Sequence, residues 1–338
     1  MRVGVLLVFL LAFAGVAIAA PSTPDQRVAD LNWLVDQLEK NYAYRHKRNV
    51  DIPALARRYR DDAVNATDEF KWIELLERLT AELYDHHVSL NTNTDVSPQL
   101  VPSGTDIWAE MIGGKPVIAE VRPRTIAWRA GVRAGMMVTL LPAPRSRAAD
   151  PIYAKRKRPD TEAEAFFTRM VLAGNHRDRR TFTACTSAGR CTPFDLAPAQ
   201  GWQSESRVAS EMLSGNIGYI RIENSLGDTA TIAEFDRAVA SLASAKGLIL
   251  DLRNTPSGGN TDTAEPILGR FIAKRTGYQR VFEPRKGGDE RTAAWVKEVD
   301  PRGPQITLPL VVLVNHWTGS MGEGMAIGLH GMNRATVV

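Results

Sequence analysis

The sequence predicts an α/β fold, in which a layered α/β core follows a helical region and a shorter strand-rich region. Residues 24–90 carry apolar side chains at intervals of three and four, which is typical of amphipathic helices. Residues 215–338 alternate short apolar runs with helical patterns, which indicates a sheet covered by helices. A chain of 338 residues is long enough for two or three such domains.

The composition is that of an ordinary globular protein, with 44% hydrophobic and 24% charged residues. The net charge of +4 is spread along the chain, so it gives no reason to expect nucleic-acid binding. The densest basic run is Lys155-Arg156-Lys157-Arg158. We interpret this run as a solvated loop, with a docking patch for an acidic partner as the alternative.

Residues 1–20 have the pattern of a secretory signal peptide. Arg2 supplies a positive charge, Val5–Phe13 is an apolar run, and Ala17-Ile18-Ala19 fits the small-residue rule for cleavage. An uncleaved membrane anchor is the alternative. No later segment has about 18 apolar residues in a row, so we expect a soluble, periplasmic or secreted protein without stable membrane insertion after cleavage.

The helical region is assigned to residues 21–100. Leu31 and Leu38 mark one face of a first helix, and Asp51 before Pro53 predicts the start of a second. The third helix carries Phe70, Ile73, Leu76 and Leu79. This region ends in the sequence LTAELYDHHVSL, which places two adjacent histidines after a helix.

The strand-rich region is assigned to residues 101–198. The expected elements are a strand at Val117–Val121, a short helix at Ala127–Arg129, a strand at Met137–Leu141, a helix at Thr161–Ala173 and a hairpin over residues 180–196. Cys185 and Cys191 flank the turn of that hairpin. In an exported protein this spacing favours a cross-hairpin disulfide, because two thiols without a nearby histidine make a poor zinc site.

Residues 199–338 are assigned to the α/β core. Its expected strands are Ile217–Ile222, Gly247–Leu252, Leu308–Val314 and Ala335–Val338. Its expected helices are Thr231–Ala243, Ala264–Lys274 and Met321–His330. Strands that alternate with helices in this way are typical of a layered α/β domain.

Ser320 follows a buried strand and a short glycine-containing turn, at the start of a helix. The hydroxyl would lie beside unpaired amide groups of the first helical turn, and the Met321 N–H could stabilise a developing negative charge. Ser320 is therefore a candidate nucleophile. A simple role as the helix N-cap is the alternative.

Paired glycines, Gly258 and Gly259, follow the strand that ends in Asp251-Leu252-Arg253. Glycine allows a backbone amide to approach a ligand closely, so either residue could supply a second donor to an oxyanion. The alternative is an ordinary turn between a strand and a helix, in which Asp251 and Arg253 form a structural ion pair.

His86 and His87 are candidate general bases, since the pKa of histidine lies near neutrality. Chemistry alone does not choose between the two, and surface histidines are the alternative. A metal site is disfavoured, because adjacent histidines point apart and no third ligand has suitable spacing.

Three segments occur in the order found in the C-terminal-processing (tail-specific) protease family, and the chain resembles the tricorn-like branch of these serine peptidases. The segments are Asp85 to Leu90, Leu248 to Gly259 and Val312 to Glu323. The resemblance implies a ClpP/crotonase-like layered core and a serine endopeptidase that cuts protein or peptide substrates, such as C-terminal tails, through an acyl-enzyme. It implies neither a cofactor nor a metal.

Matched by position, the resemblance implies that Ser320 is the nucleophile and His87 the family's histidine, because His86 fills the usual glycine position. Met321 with Gly258 or Gly259 would hold the oxyanion. Glu323 and Asp85 are the expected supporting residues. In the Ser/Lys branch of the family a lysine beyond the serine replaces the histidine as base.

The segment from Val117 to Leu141 resembles a PDZ domain, which implies that this insert binds extended peptides by strand addition. Met136 replaces the usual aspartate, and Trp128 lies within the short helix. A packing module without a ligand is the alternative.

No lysine follows Lys297, and the chain ends 18 residues after Ser320, since 338 − 320 = 18. The later acidic residue of the histidine branch is also missing. We therefore expect the sequence to be a fragment, and the alternative is a catalytically degenerate homologue that binds peptides or other ligands. A metal hydrolase that uses His86 and His87 is a third, weaker hypothesis.

Overall fold

The computed structural model describes residues 22–45, 50–140, 161–201, 204–284 and 291–338. The predicted signal peptide at residues 1–20 and the basic run at residues 155–158 lie outside these ranges. Within them, no helix combines the length and the apolar character needed to cross a membrane.

The helical region contains three helices: α1 (Pro24–Asn41), α2 (Ile52–Asn65) and α3 (Glu69–Ala81). Thr23, Asp51 and Asp68 cap them, each with a side-chain oxygen that accepts a backbone N–H of the first turn. Their apolar faces meet in one cluster around Leu31, Leu55 and Leu75. The predicted helices are therefore confirmed, because both the caps and the spacing of apolar residues specify the same elements.

Among its described residues, the strand-rich region contains five strands, which are β1 (Ile107–Ile112), β2 (Lys115–Val121), β3 (Met137–Leu140), β4 (Arg180–Cys185) and β5 (Cys191–Leu196). They form one antiparallel sheet in the order β1-β2-β3-β4-β5. Helices α4 (Ile126–Arg129) and α5 (Thr161–Ala173) occupy the predicted positions. Strand β1 was not predicted, and α5 packs against it.

The predicted cross-hairpin disulfide between Cys185 and Cys191 is confirmed. The two residues are cross-strand partners at the turn end of the β4–β5 hairpin. The sequence specified this pair because the turn is short and both strands keep their alternation.

The core is built on a second sheet. The strands of this sheet are β6 (Val208–Leu213), β7 (Ile217–Ile222), β8 (Gly247–Asp251), β11 (Leu310–Leu313) and β12 (Thr336–Val337). Between β8 and β11 in the chain, β9 (Thr276–Pro284) and β10 (Arg291–Val299) form a separate hairpin. The five strands outside the hairpin pair in the order β12-β11-β8-β7-β6. Strand β6 is antiparallel to β7, and the other neighbours in the sheet are parallel.

Three helices cover the core: α6 (Ala230–Ser241), α7 (Thr261–Leu268) and α8 (Met321–Gly331). The predicted helix at Ala264–Lys274 is wrong in its bounds, since α7 begins and ends earlier. The Asn260 side chain accepts the Thr263 N–H at 3.1 Å and so fixes the start. A 3-10 turn, Gly269–Phe271, ends the helix before β9.

Strands β8 and β11 are parallel neighbours, and Leu313 lies opposite Asp251 at their carboxyl ends. The glycine-rich loop that follows β8 and the turn that follows β11 therefore leave the sheet at the same edge. In parallel sheets this edge is the usual place for a binding site.

Candidate active site

The loop after β8 and the turn after β11 contact each other directly. Thr255 and Thr318 form an isolated parallel bridge, and the Gly319 N–H donates to the Thr255 carbonyl at 3.2 Å. The Thr318 hydroxyl donates to the Leu252 carbonyl at 3.1 Å. The structure thus brings together the two segments that the sequence singled out around Gly258 and Ser320.

Ser320 is exposed at the N-terminus of α8, with a φ of +48°. A non-glycine residue in this left-handed region carries strain, and such residues occur often at functional sites. The Ser320 N–H donates to the Glu323 carboxylate at 2.7 Å. Glu323 therefore stabilises the strained turn, and this bond occupies the Ser320 amide.

Gly258 packs against Ser320 without a side chain between them. A Cβ at residue 258 would overlap the Cβ of Ser320 and would lie 2.9 Å from its Oγ and 3.1 Å from the Met321 nitrogen. The φ of Gly258 is +67°, which also favours glycine. The missing side chain therefore leaves one small space that both the serine hydroxyl and the Met321 amide border.

At Gly259, the second glycine of the pair, a side chain is excluded for a different steric reason. A Cβ at Gly259 would overlap the backbone of Leu226, with which Gly259 forms a parallel bridge. The Gly258 N–H donates to the Thr255 carbonyl at 2.9 Å, which closes the turn. Gly258 is thus required by the side chain of Ser320, and Gly259 by the backbone of Leu226.

Asp251 and Arg253 form the ion pair that was considered as a structural feature, with 2.7 Å between their nearest side-chain atoms. Asp251 also accepts the Tyr219 hydroxyl at 2.6 Å. Burial raises the pKa of Asp251, but the hydrogen bonds from Arg253 and Tyr219 outweigh it and hold the pKa below its ordinary value. Asp251 is thus satisfied as an anion at the end of β8.

His87 lies in a loop that Asp85 anchors. Asp85 is buried and accepts the Tyr42 hydroxyl and the His87 backbone N–H, both at 2.9 Å. The His87 ring is exposed, with its side chain 67% accessible, and its Nδ1 lies 3.8 Å from the Asp85 carboxylate. In the described part of the chain no hydrogen bond joins His87 to Ser320.

His86 packs inward instead. Its ring stacks on Phe166 with 4.4 Å between centroids, and its Nε2 accepts the Arg169 Nε–H at 3.0 Å. The two histidines therefore point to different surroundings, as expected for adjacent residues. No cluster of three or more potential metal ligands occurs among the residues that the structure describes.

Sequence reasoning missed His316, four residues before Ser320. Its Nδ1 lies 2.9 Å from a Glu120 oxygen and its Nε2 lies 3.0 Å from a Glu110 oxygen. The ring stacks on Trp108 with 4.9 Å between centroids. Glu110 and Trp108 are in β1, and their alternation with buried Ile107 and Ala109 was the available signal for that strand.

Arg122, which comes directly after β2, provides another link between the strand-rich region and the core. It donates to the Asn254 side chain in the glycine loop, and Asn254 donates in turn to Glu223. The guanidinium also lies 5.5 Å from the Trp317 ring centroid. Burial is the main cause that lowers the pKa of Arg122 to about 10.

Comparison with known proteins gives matches to the segment that contains both the glycine loop and the Ser320 turn. Residues 216–338 match the model of peptidase family S41. Over 125 residues the chain is 40% identical to the carboxy-terminal processing protease CtpA of Bacillus subtilis (strain 168). The match covers 36% of this chain and 25% of that relative, so the chain spans about a quarter of the relative's length.

Two solved structures share the fold over most of the chain. The photosystem II D1 C-terminal processing protease superposes with a TM-score of 0.52 at 17% identity, over 94% of this chain and 81% of that one. Mature CPAF gives a TM-score of 0.55 at 14% identity, over 93% and 83%. At these identities the likeness shows a common mixed α/β fold.

Proposed function

We propose that this chain is a serine endopeptidase of the C-terminal processing protease type within peptidase family S41, and that it cuts peptide bonds in C-terminal segments of proteins. The main observation that supports this proposal is the close packing of Gly258 against the Ser320 hydroxyl and the Met321 amide at the N-terminus of α8. This arrangement provides a nucleophile beside an oxyanion donor in one small space. The proposal assigns residues 199–338 to a ClpP/crotonase-like peptidase core.

In the proposed reaction, the Ser320 Oγ attacks the carbonyl carbon of the scissile bond and its proton passes to His87. The carbonyl oxygen becomes an oxyanion that accepts the Met321 N–H. His87 then gives the proton to the leaving amine, and an ester of Ser320 remains. Water, deprotonated by His87, attacks this ester, and the carboxylic acid product leaves as Ser320 recovers its proton.

The second oxyanion donor is assigned to the glycine loop. The Gly258 N–H already donates to the Thr255 carbonyl at 2.9 Å, which favours Gly259 as the donor. The α8 helix dipole supports the Met321 donor, because the positive end of a helix stabilises a nearby anion.

His87 acts as the base in this proposal, and Asp85 orients it. The His87 ring is exposed, and the buried Asp85 carboxylate lies 3.8 Å from its Nδ1. Catalytic hydrogen bonds often form only when substrate is bound. We therefore propose that the loop of residues 85–90 closes on Ser320 in the substrate complex.

The strand-rich region, residues 101–198, is proposed to be a PDZ-like module that presents the substrate tail. Strand β1 is an edge of the sheet, and α5 packs beside it. An extended peptide could add to this edge and lie alongside the helix. Export through a cleaved signal peptide at residues 1–20, to the periplasm or beyond, is part of the same proposal.

The test is the Ser320→Ala variant, assayed with unstructured peptides and with a fluorophosphonate probe that labels reactive serines. We expect loss of hydrolysis and of labelling, because the acyl group then has no acceptor. Ser210→Ala on the exposed face of β6 is the matched control and should keep both. Undiminished turnover in Ser320→Ala would refute the proposed nucleophile.

A binding homologue without hydrolysis is the second candidate. The observation that favours it is the lack of a hydrogen bond between His87 and Ser320 in the described residues. Peptide binding by the wild-type chain without any labelling of Ser320 would support this candidate over the peptidase.

A further inference from the structure

Three consecutive residues of the turn that carries Ser320 contact the strand-rich region, and His316 is the one among them whose charge can change with pH. His316 comes after β11, and its side chain lies between two carboxylates that belong to different strands. Asn315, the residue before it, donates its side-chain amide to Glu120 at 2.7 Å. Glu120 therefore binds two consecutive residues of the turn, and Glu110 binds one of them from the neighbouring strand.

The geometry determines the protonation state that these contacts require. Each ring nitrogen of His316 lies within 3.0 Å of a carboxylate oxygen. Ionised carboxylates only accept hydrogen bonds, and only the imidazolium form donates from both nitrogens. A neutral ring would direct one lone pair at a carboxylate, so the complete arrangement exists only with a charged His316.

We propose that His316 is a positioning residue whose protonated ring, bound by Glu110 and Glu120, holds the Ser320 turn against the strand-rich region and makes catalysis depend on pH. We name this group of three side chains the His316 clamp. The inference rests on the proposed function, in which Ser320 is the nucleophile.

Four charged side chains lie around the His316 ring in the part of the chain that the structure describes: Glu110, Glu120, Arg122 and Arg169. Glu110 faces the ring from β1 and Glu120 faces it from β2. Trp108 separates the ring from α5, where the Arg169 guanidinium lies 4.5 Å from the indole centroid. Arg122 interacts electrostatically with Glu120 from the residue after β2. The two carboxylates contact the ring directly and the two arginines do not, so the positive form of His316 is favoured.

The directions in which the pKa values of His316 and Glu120 are shifted agree with this arrangement. The hydrogen bond to Glu120 is the largest cause that raises the pKa of His316 above 6.5, and Glu110 adds to it against the effect of burial. Burial raises the pKa of Glu120, but the bonds from His316 and Asn315 outweigh it and lower that pKa. The clamp is therefore complete at pH values between the lowered pKa of Glu120 and the raised pKa of His316, is lost as pH rises through the pKa of His316, and is lost in acid when Glu120 is protonated.

The turn can transmit this contact to Ser320 because a hydrogen bond within it links Asn315 to Thr318 and holds the turn together. Trp317 is buried and donates its indole N–H to the Thr105 carbonyl at 3.0 Å. The Thr318 hydroxyl accepts the Asn315 N–H at 3.0 Å. A change in the position of His316 therefore moves a short, rigid segment that ends at the nucleophile, and small misplacements of a reacting group cost much rate.

The activity test compares pH profiles of kcat for hydrolysis of an unstructured peptide. Wild-type kcat should fall roughly tenfold above the raised pKa of His316, the effect of one charged hydrogen bond that solvent partly screens. His316→Gln should have a low kcat without that fall, while KM changes little. Glu110→Gln and Glu120→Gln should each move the fall to lower pH. His330→Gln, an exposed histidine in α8, is the matched control and should keep the wild-type profile.

A second measurement does not depend on activity or on the folding of any His316 variant. In Ser320→Ala protein, NMR titration of the His316 ring should give a raised pKa, which returns toward 6.5 when Glu110→Gln and Glu120→Gln are added. The clamp would be overturned if the His316 ring had an ordinary pKa in Ser320→Ala protein. It would also be overturned if kcat of His316→Gln fell at high pH as it does in the wild type. Undiminished hydrolysis by Ser320→Ala would instead refute the proposed function, and the NMR titration would still decide whether the carboxylates hold His316.

Discussion

The substitution Gly258→Ala tests the site most directly. The added methyl would overlap the Ser320 Cβ and lie 2.9 Å from the Ser320 Oγ. The Ser320 Cβ can move away only with the backbone, and rotation of the Oγ away from the methyl would displace the proposed nucleophile. We expect kcat to fall by about 100-fold, the cost of displacing a reacting group by roughly 1 Å.

Stability should change much less than activity. The φ of +67° at residue 258 costs an alanine about 1–2 kcal/mol in free energy of unfolding. Gly215→Ala is a matched control, since Gly215 has a φ of +76° but a Cβ there would meet open space. Both variants should show a similar loss of stability from backbone strain, with some further loss at residue 258 from the overlap.

The assays are peptide hydrolysis, fluorophosphonate labelling and urea unfolding of the two variants and the wild type. Only Gly258→Ala should lose labelling and turnover. If Gly258→Ala hydrolysed peptide as fast as Gly215→Ala, the space between Gly258, Ser320 and Met321 would not be where the reaction occurs.

Two further predictions concern Glu323, in the first turn of α8, and Asp251, at the end of β8. Glu323→Gln should lower kcat by about tenfold without changing KM, since the weaker acceptor holds the strained Ser320 N–H less firmly, and steady-state kinetics measure this change. Asp251→Asn should lower the free energy of unfolding at neutral pH by about 2 kcal/mol, a value reduced for solvent around the half-exposed Arg253. Because the pKa of Asp251 is lowered from 3.8, the stability that it contributes is complete above that pH and is lost as pH falls further. Urea unfolding between neutral and acidic pH should show this loss in the wild type and not in Asp251→Asn.

Sequence reasoning predicted that the glycine loop lies beside the Ser320 turn, because the apolar run before each of them predicts a buried strand. Two apolar runs become parallel neighbours, and the loops at their carboxyl ends leave the sheet at the same edge. The relation between His87 and Ser320 is different, because it depends on how the helical region docks on the core. The spacing of residues within either segment does not determine the distance between His87 and Ser320, so their catalytic pairing stays a prediction.

The missed elements have identifiable causes. Strand β1 was missed because only Ile107 and Ala109 of its residues are fully buried, so its alternation is weak. The β9–β10 hairpin leaves Phe282 and Trp295 exposed, and a strand pair with apolar residues in solvent does not show a clean alternation of burial. Because β1 was missed, the role of Glu110 beside His316 could not be inferred either.

The end of β2 connects the strand-rich region to both halves of the candidate site. Glu120 binds Asn315 and His316 in the serine turn, and Arg122, two residues later, binds Asn254 in the glycine loop. Residues two apart in an extended chain lie on the same side, so one short stretch contacts both loops. A rigid shift of β2 would therefore move the proposed nucleophile and the proposed oxyanion donors together, whereas loss of the His316 contact alone would loosen only the turn that carries Ser320, which Trp317 and Thr318 still hold. This difference is why His316, rather than Arg122, is the residue through which a change of pH can alter the geometry between Ser320 and Gly258.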